Sequence, residues 1–165
     1  MNCIVYTSCT GTTREYARML SERTGMSCHE LGQDEPAPGS EVVYMGWLRA
    51  GRVVGLNKAM KKWKVCCVCA VGMAYPTEEL LSSLRRDNKL AADMPLFALQ
   101  GGLFWDKLGT YRLPMKLVVG TVARSLEKKA SRSAQDEDLL TLCRQGGSRV
   151  CETNLAGVLS WWKTL

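Results

Sequence analysis

The stretch Tyr6-Thr7-Ser8-Cys9-Thr10-Gly11-Thr12-Thr13 gathers the side chains with the clearest chemical use. It lies between a short apolar run and a helix-forming segment. Ser8, Thr10, Thr12 and Thr13, with Gly11 among them, surround the free N–H groups expected at a helix N-terminus. Those N–H groups and the helix dipole favour a phosphate, and the hydroxyls add neutral hydrogen bonds to its oxygens. The loop holds no lysine, so it is not the P-loop of a nucleotide triphosphatase. It also lacks the Gly-x-Gly-x-x-Gly of dinucleotide sites. The competing reading is a hydroxyl-rich helix cap with no ligand, since Ser and Thr are ordinary caps.

Other chemistry is sparse. His29 is the only histidine, so no catalytic triad is expected and no catalytic side chain is assigned. There are eight cysteines. Cys66, Cys67 and Cys69 lie in Lys64–Gly72, which reads as a buried strand. Alternation sends Cys67 and Cys69 to one face and Cys66 to the other, a poor cup for a metal. No metal site is expected. Reduced cysteines used as small apolar residues, in a cytoplasmic protein, is the favoured reading.

Positioning the loop takes alternating strands and helices. Apolar runs predict strands at Cys3–Thr7, Met26–Leu31, Glu41–Gly46, Val65–Val71 and Pro95–Leu99. The first helix is expected to run to about Thr24, with Tyr16, Ala17 and Leu20 on one face and Gly25 as its stop. Thr12 and Glu15 have capping-box spacing at its start. Gly32–Ser40, with Pro36 and Pro38, reads as a loop. After a loop at Trp47–Gly51, Val53, Leu56, Met60 and Trp63 recur at helical steps. Thr77 is expected to cap a helix opened by Glu78 and Glu79. Five strands separated by helices predict an α/β fold with a parallel sheet covered on both faces.

Beyond Gln100 the alternation breaks. Gly101–Trp105 reads as a glycine-aromatic loop. A helix with Met115, Val118, Val119, Val122 and Leu126 aligned is expected next. A further helix should start at Ser133 and Asp136 and end at Gly146-Gly147. The last helix carries Leu155, Val158, Leu159 and Trp162 at i, i+3, i+4 and i+7. The expectation is one domain over 1–165, with a helical insertion at about 103–148 before the C-terminal helix.

Composition bounds the partners. The chain has 165 residues, 46% of them hydrophobic and 23% charged, an ordinary globular balance. Met1–Tyr6 has neither a basic start nor a long apolar stretch, so no signal peptide is expected. Twenty-two basic residues against 16 acidic give +6. Val42–Thr77 carries six basic residues and no acid, and Gly101–Arg132 nets +5. Neither block is a clustered basic tail, so nucleic acid is not an expected partner.

Ser8-x-Thr10-Gly11-x-Thr13 after a Tyr-ended first strand resembles the FMN phosphate loop of flavodoxins. Gly46-Trp47-Leu48-Arg49-Ala50-Gly51, Ala70-Val71-Gly72 and Gly101-Gly102-Leu103-Phe104-Trp105-Asp106-Lys107-Leu108 extend the resemblance over most of the chain. The last motif looks like a branch of short flavodoxin-domain proteins that includes the menaquinone-dependent protoporphyrinogen oxidases. Cys9 and Thr12 stand where flavodoxins commonly carry Gly and Asn.

The resemblance implies a flavodoxin-like three-layer sandwich, a five-stranded parallel sheet in the order 2-1-3-4-5 with helices on both faces. It implies FMN as cofactor. Ser8, Cys9, Thr10, Gly11, Thr12 and Thr13 would hold the phosphate. Trp47, Leu48, Arg49, Ala50 and Gly51 would lie along the isoalloxazine ring, with Arg49 near enough to stabilise the reduced form. Gly72, Met73, Ala74 and Tyr75 would meet its polar edge, Tyr75 as a second stacking surface. Gly101 and Gly102 would shape the cover. For Trp47 the competing reading is a core aromatic, and for Arg49 a solvated loop cation.

Electron transfer with a redox partner protein or a quinone-type acceptor is the function implied. The alternative is a small flavin-dependent oxidoreductase acting on a quinone or porphyrinogen. Segment Arg112–Lys129, with its Met115/Val118/Val119/Val122/Leu126 face flanked by cations, offers either an anionic-membrane contact or ordinary core packing.

Overall fold

A computed structural model describes residues 3–165; Met1 and Asn2, which open the run read above for a leader, lie outside the described residues. Strands β1 (Cys3–Thr7), β2 (Ser27–Glu30), β3 (Glu41–Arg49), β5 (Lys64–Gly72) and β6 (Leu96–Gln100) form a parallel sheet in the order β2-β1-β3-β5-β6. This is the flavodoxin-like order expected for the five parallel strands. The short β4 (Arg52–Val53) adds a sixth strand, antiparallel on β3.

The strands bury both faces because each alternates between two cores. Ile4, Tyr6, Val43, Met45, Cys67 and Cys69 point to one core, closed by helices α1 (Thr12–Thr24) and α6 (Ala156–Trp162). Val5, Val42, Tyr44, Val68 and Ala70 point to the other, closed by α2 (Leu56–Lys62) and α3 (Glu78–Asp87). The expected pairing of Cys67 with Cys69 on one face is therefore observed. Cys66 is skipped in the register, where Val42 pairs with Val65 but Val43 with Cys67, a one-residue bulge. Burying a Val, Leu or Ile side chain contributes about 1.5–3 kcal/mol, so these two layers dominate the stability.

Local signals place most helix ends. Gly25 closes α1 in the left-handed conformation. Thr77 caps α3 by accepting the Leu80 N–H at 3.2 Å, with Glu78 and Glu79 in the first turn. The helix expected from Val53 to Trp63 is shorter, because Val53 is taken by β4.

After β6 the chain forms β7 (Gly102–Leu103), α4 (Arg112–Glu127), α5 (Ala134–Gln145) and β8 (Gly147–Ser148). Gly101–Trp105, expected as a loop, thus includes a strand. β7 and β8 pair antiparallel, Gly102 with Ser148 and Leu103 with Gly147, so the inserted segment begins and ends side by side. Ser133 and Asp136 make the expected capping box on α5. Among the described residues no helix is long and apolar enough to cross a membrane.

Candidate functional site at the C-terminal end of the sheet

The turn from β1 into α1 differs from its expected cap. Gly11, not Thr12, is the N-cap residue; its φ of +101° is left-handed and it brings no side chain to the helix end. Ser8 is used inside the turn, its Oγ accepting the Gly11 N–H at 3.1 Å. The first helical bond runs from the Glu15 N–H to the Gly11 carbonyl at 3.0 Å. The N–H groups of Thr12, Thr13 and Arg14 therefore lack intrahelical acceptors. Thr13 is fully buried in this first turn, and its Oγ1 is the buried side-chain oxygen without a hydrogen-bond partner among the described residues. Leaving such a hydroxyl unpaired costs about 1–3 kcal/mol.

Trp47 to Arg49, expected as a loop, extends β3 beyond Gly46. The chain reverses at Ala50 and Gly51, with φ of +48° and +76°, and returns as β4. Two consecutive positive φ values are those of a type I′ hairpin turn. The turn is held on α3, where the Asn88 amide donates to the Gly51 carbonyl at 2.9 Å and its oxygen accepts the Val53 N–H at 2.8 Å. At the neighbouring strand ends, the Gly101 N–H donates to the Gly72 carbonyl at 2.6 Å. A Cβ on Gly101 would stand 2.8 Å from Val71 Cγ1 and 3.3 Å from Thr12 Oγ1. Glycine is what lets this backbone lie against Val71 on β5.

The inserted segment folds back over these loops and closes a cavity of about 340 Å³. Its sheet-side wall is Cys9, Thr10, Thr12, Trp47, Leu48, Arg49, Ala50, Val71, Gly72, Met73, Ala74, Gly101 and Gly102. Its other wall comes from the insertion: Leu103, Leu108, Tyr111, Pro114, Met115, Val118, Val119, Val122 and Leu139. Arg49 is the one charged residue in this lining. Burial pushes the Cys9 thiol up, which keeps it neutral against the apolar wall. At the rim the Trp47 and Tyr111 rings meet edge-on at 5.4 Å and 67°, and the Arg49 guanidinium lies 5.7 Å over the Tyr111 ring.

A polar joint couples the two walls. Gln100, almost fully buried, donates through Nε2 to the Met73 carbonyl and to Asp138 Oδ2, both at 3.3 Å. Asp138 also accepts from Arg149 Nε at 2.8 Å. The Gln100 carbonyl accepts the Tyr16 hydroxyl at 2.5 Å, and Asn154 donates to the same hydroxyl at 2.6 Å. One side chain on β6 thus connects the loop after β5 with α5, while its backbone meets α1.

Sequence reasoning brought Cys9, Thr10, Thr12, Trp47 to Ala50, Gly72 to Ala74, Gly101 and Gly102 to one place, and they share the cavity. Ser8, Gly11 and Thr13 lie behind the lining, in the turn and first helical turn. Gly51 is drawn to α3. Tyr75 is 45% exposed and outside the lining, so the second aromatic at the rim is Tyr111 instead. The α4 wall was missed. Its aligned face turns inward, with Val119 and Leu126 buried and Met115 and Val122 half-buried; only Val118 of that set is exposed. Periodicity could mark that face as buried but not what it buries against. No family model, curated protein or solved structure matches the chain.

Proposed function

We propose that this chain binds FMN in the cavity, with the phosphate at the N-terminus of α1, and transfers electrons between a redox partner protein and an acceptor. The observation that carries the reading is the first turn of α1, a helix end with no side-chain cap and with Thr12 on the cavity wall. A phosphate there would accept from the Thr12 hydroxyl and from the free N–H groups, and the helix dipole would favour its charge. The remaining donor set suits the rest of the molecule. Trp47 offers a flat half-buried surface, the Gly72–Ala74 and Gly101 backbones lie at the cavity floor, and Arg49 supplies its one positive charge.

When bound, FMN supplies the electron-transfer chemistry, and the protein's part is to orient it and control access. Gln100 holds the Met73 carbonyl in place, and the α4 wall excludes water from one side. The apolar extent of that wall favours a second reading, a small flavin-dependent oxidoreductase acting on a quinone or porphyrinogen. Turnover of a water-soluble quinone by flavin-loaded protein would separate it from simple electron carriage.

The test of the primary reading is uptake of FMN and of riboflavin, followed by visible absorbance and by quenching of flavin fluorescence. FMN should bind more tightly than riboflavin. Thr12→Val should weaken FMN about tenfold or more, as expected for losing one hydrogen bond to a charged acceptor, and leave riboflavin unchanged. Failure to take up FMN overturns the reading.

A further inference from the structure

Seven large apolar side chains are exposed among the described residues, and four of them, Tyr111, Leu113, Leu117 and Val118, fall within one eight-residue span. Leu113 is 75% exposed and Leu117 is 72% exposed. They stand one turn apart on α4, on the side away from buried Val119 and Leu126. This is a different stripe from the one that lines the cavity. Helices in globular proteins turn such a stripe inward, and α4 already has a full inward face.

Along α4 from Arg112 to Arg124 the charges have one sign. Between Asp106 and Glu127 the only charged residues are Lys107, Arg112, Lys116 and Arg124. All four are exposed, and Arg112 and Lys116 are in no ion pair among the described residues. Arg124 follows Leu117 by seven residues, so it continues the outward stripe. Packing α4 on a second copy of itself would set these cations against each other, which disfavours self-association. The leucines form a ridge along one helix and not a groove shaped for a partner side chain. A fluid anionic surface meets both features.

We propose that the outer face of α4 docks on an anionic lipid bilayer, with Leu113 and Leu117 entering the acyl boundary and Arg112, Lys116 and Arg124 meeting headgroups. Tyr111 and Val118 are exposed and also line the cavity, so the docked face includes the cavity rim. An apolar reactant dissolved in the bilayer would then meet the cavity without crossing water. The docking itself does not depend on what the cavity binds.

Co-sedimentation of the full chain tests this, using vesicles of phosphatidylcholine alone and of phosphatidylcholine mixed with phosphatidylglycerol. Binding is expected to the mixed vesicles, to weaken with salt, and to be lost on neutral ones. Leu113→Ser with Leu117→Ser should lower it about tenfold or more at an unchanged melting temperature. Arg112→Gln with Lys116→Gln should remove the preference for the anionic lipid. No binding at low salt overturns the proposal, as does binding that survives the leucine pair undiminished. Concentration-dependent self-association that the leucine pair abolishes, without vesicle binding, assigns the face to a second copy and also overturns it. Running the assay with and without added FMN keeps this outcome separate from failure of the flavin reading.

Discussion

The sheet with its four helices and the segment inserted between β6 and α6 bury their apolar residues in different ways. In the first, every central strand alternates between two cores, so its side chains meet a helix whichever way they point. In the second, Leu103, Leu108, Val119, Leu142 and Cys143 make one small cluster, and α4 and α5 close over a cavity instead of a sheet. The insertion is joined to the sheet by a two-stranded ribbon and the Gln100–Asp138–Arg149 joint. It also keeps two leucines in solvent. Packing in the first region makes the fold, and packing in the second makes a wall and a surface.

The largest effect that can break this contrast is a cavity opened in each region. Leu20 on α1 and Leu142 on α5 are both fully buried. Leu20→Ala should cost about 3–5 kcal/mol in urea unfolding, because its neighbours on α1, β1 and β3 are locked from both sides. Leu142→Ala should act locally. Amide exchange in α4 and α5 should speed up while β1, β3 and β5 stay protected. Equal global losses for the two variants would mean that the insertion is as integral as the sheet.

A smaller effect tests the joint. Asp138→Ala removes the acceptor shared by Gln100 and Arg149 and should cost about 1–2 kcal/mol, since the pair is partly screened by solvent. Its more telling readout is exchange of the Met73–Ala74 amides, which should rise with that of α5. If α5 loosens and the loop after β5 does not, the two walls are not coupled through Gln100.

How much of this could be read in the sequence follows from the range of each interaction. The central strands and α1, α3, α5 and α6 were legible because apolar periodicity, Thr77 and the Ser133–Asp136 pair act within a few residues. The strand order was not; it came with the family resemblance. The β3–β4 hairpin was missed because Ala50-Gly51 is not the Asn-Gly or Asp-Gly pair that marks a type I′ turn. Its anchor, Asn88, lies 37 residues from Gly51. Gly11 displaced Thr12 as the cap because Ser8 satisfies the Gly11 N–H inside the turn. Tyr111 replaced Tyr75 at the rim because the insertion folds back and sets its ring against Trp47. Nothing local to α4 states that it returns over the strand ends, so one wall of the candidate site was legible and the other was not.

The smallest expected effect sharpens the contrast at the start of α5, where the insertion depends on one local device. Ser133 Oγ accepts the Asp136 N–H at 3.1 Å, and Asp136 Oδ2 accepts the Ser133 N–H at 3.1 Å. Ser133→Ala should cost about 1 kcal/mol, measured by urea unfolding. Lys129, 2.7 Å from Asp136 Oδ1, and then the Ser133 N–H hold the Asp136 carboxyl below its ordinary pKa. A depressed folded value means the carboxylate's contribution is complete above the ordinary Asp pKa of about 4 and is lost as pH falls through the folded value. Exchange of the first-turn α5 amides should therefore accelerate from about pH 4 downward, after correction for intrinsic rates. Asp136→Asn should already exchange fast at neutral pH and show no such acid limb. The start of α2, which packs on the sheet, has Gly55 as its N-cap and no acidic residue in its first turn, so its first-turn amides should not share the Asp136 limb; if both helices loosen together on the same acid limb, the insertion does not open independently of the sheet.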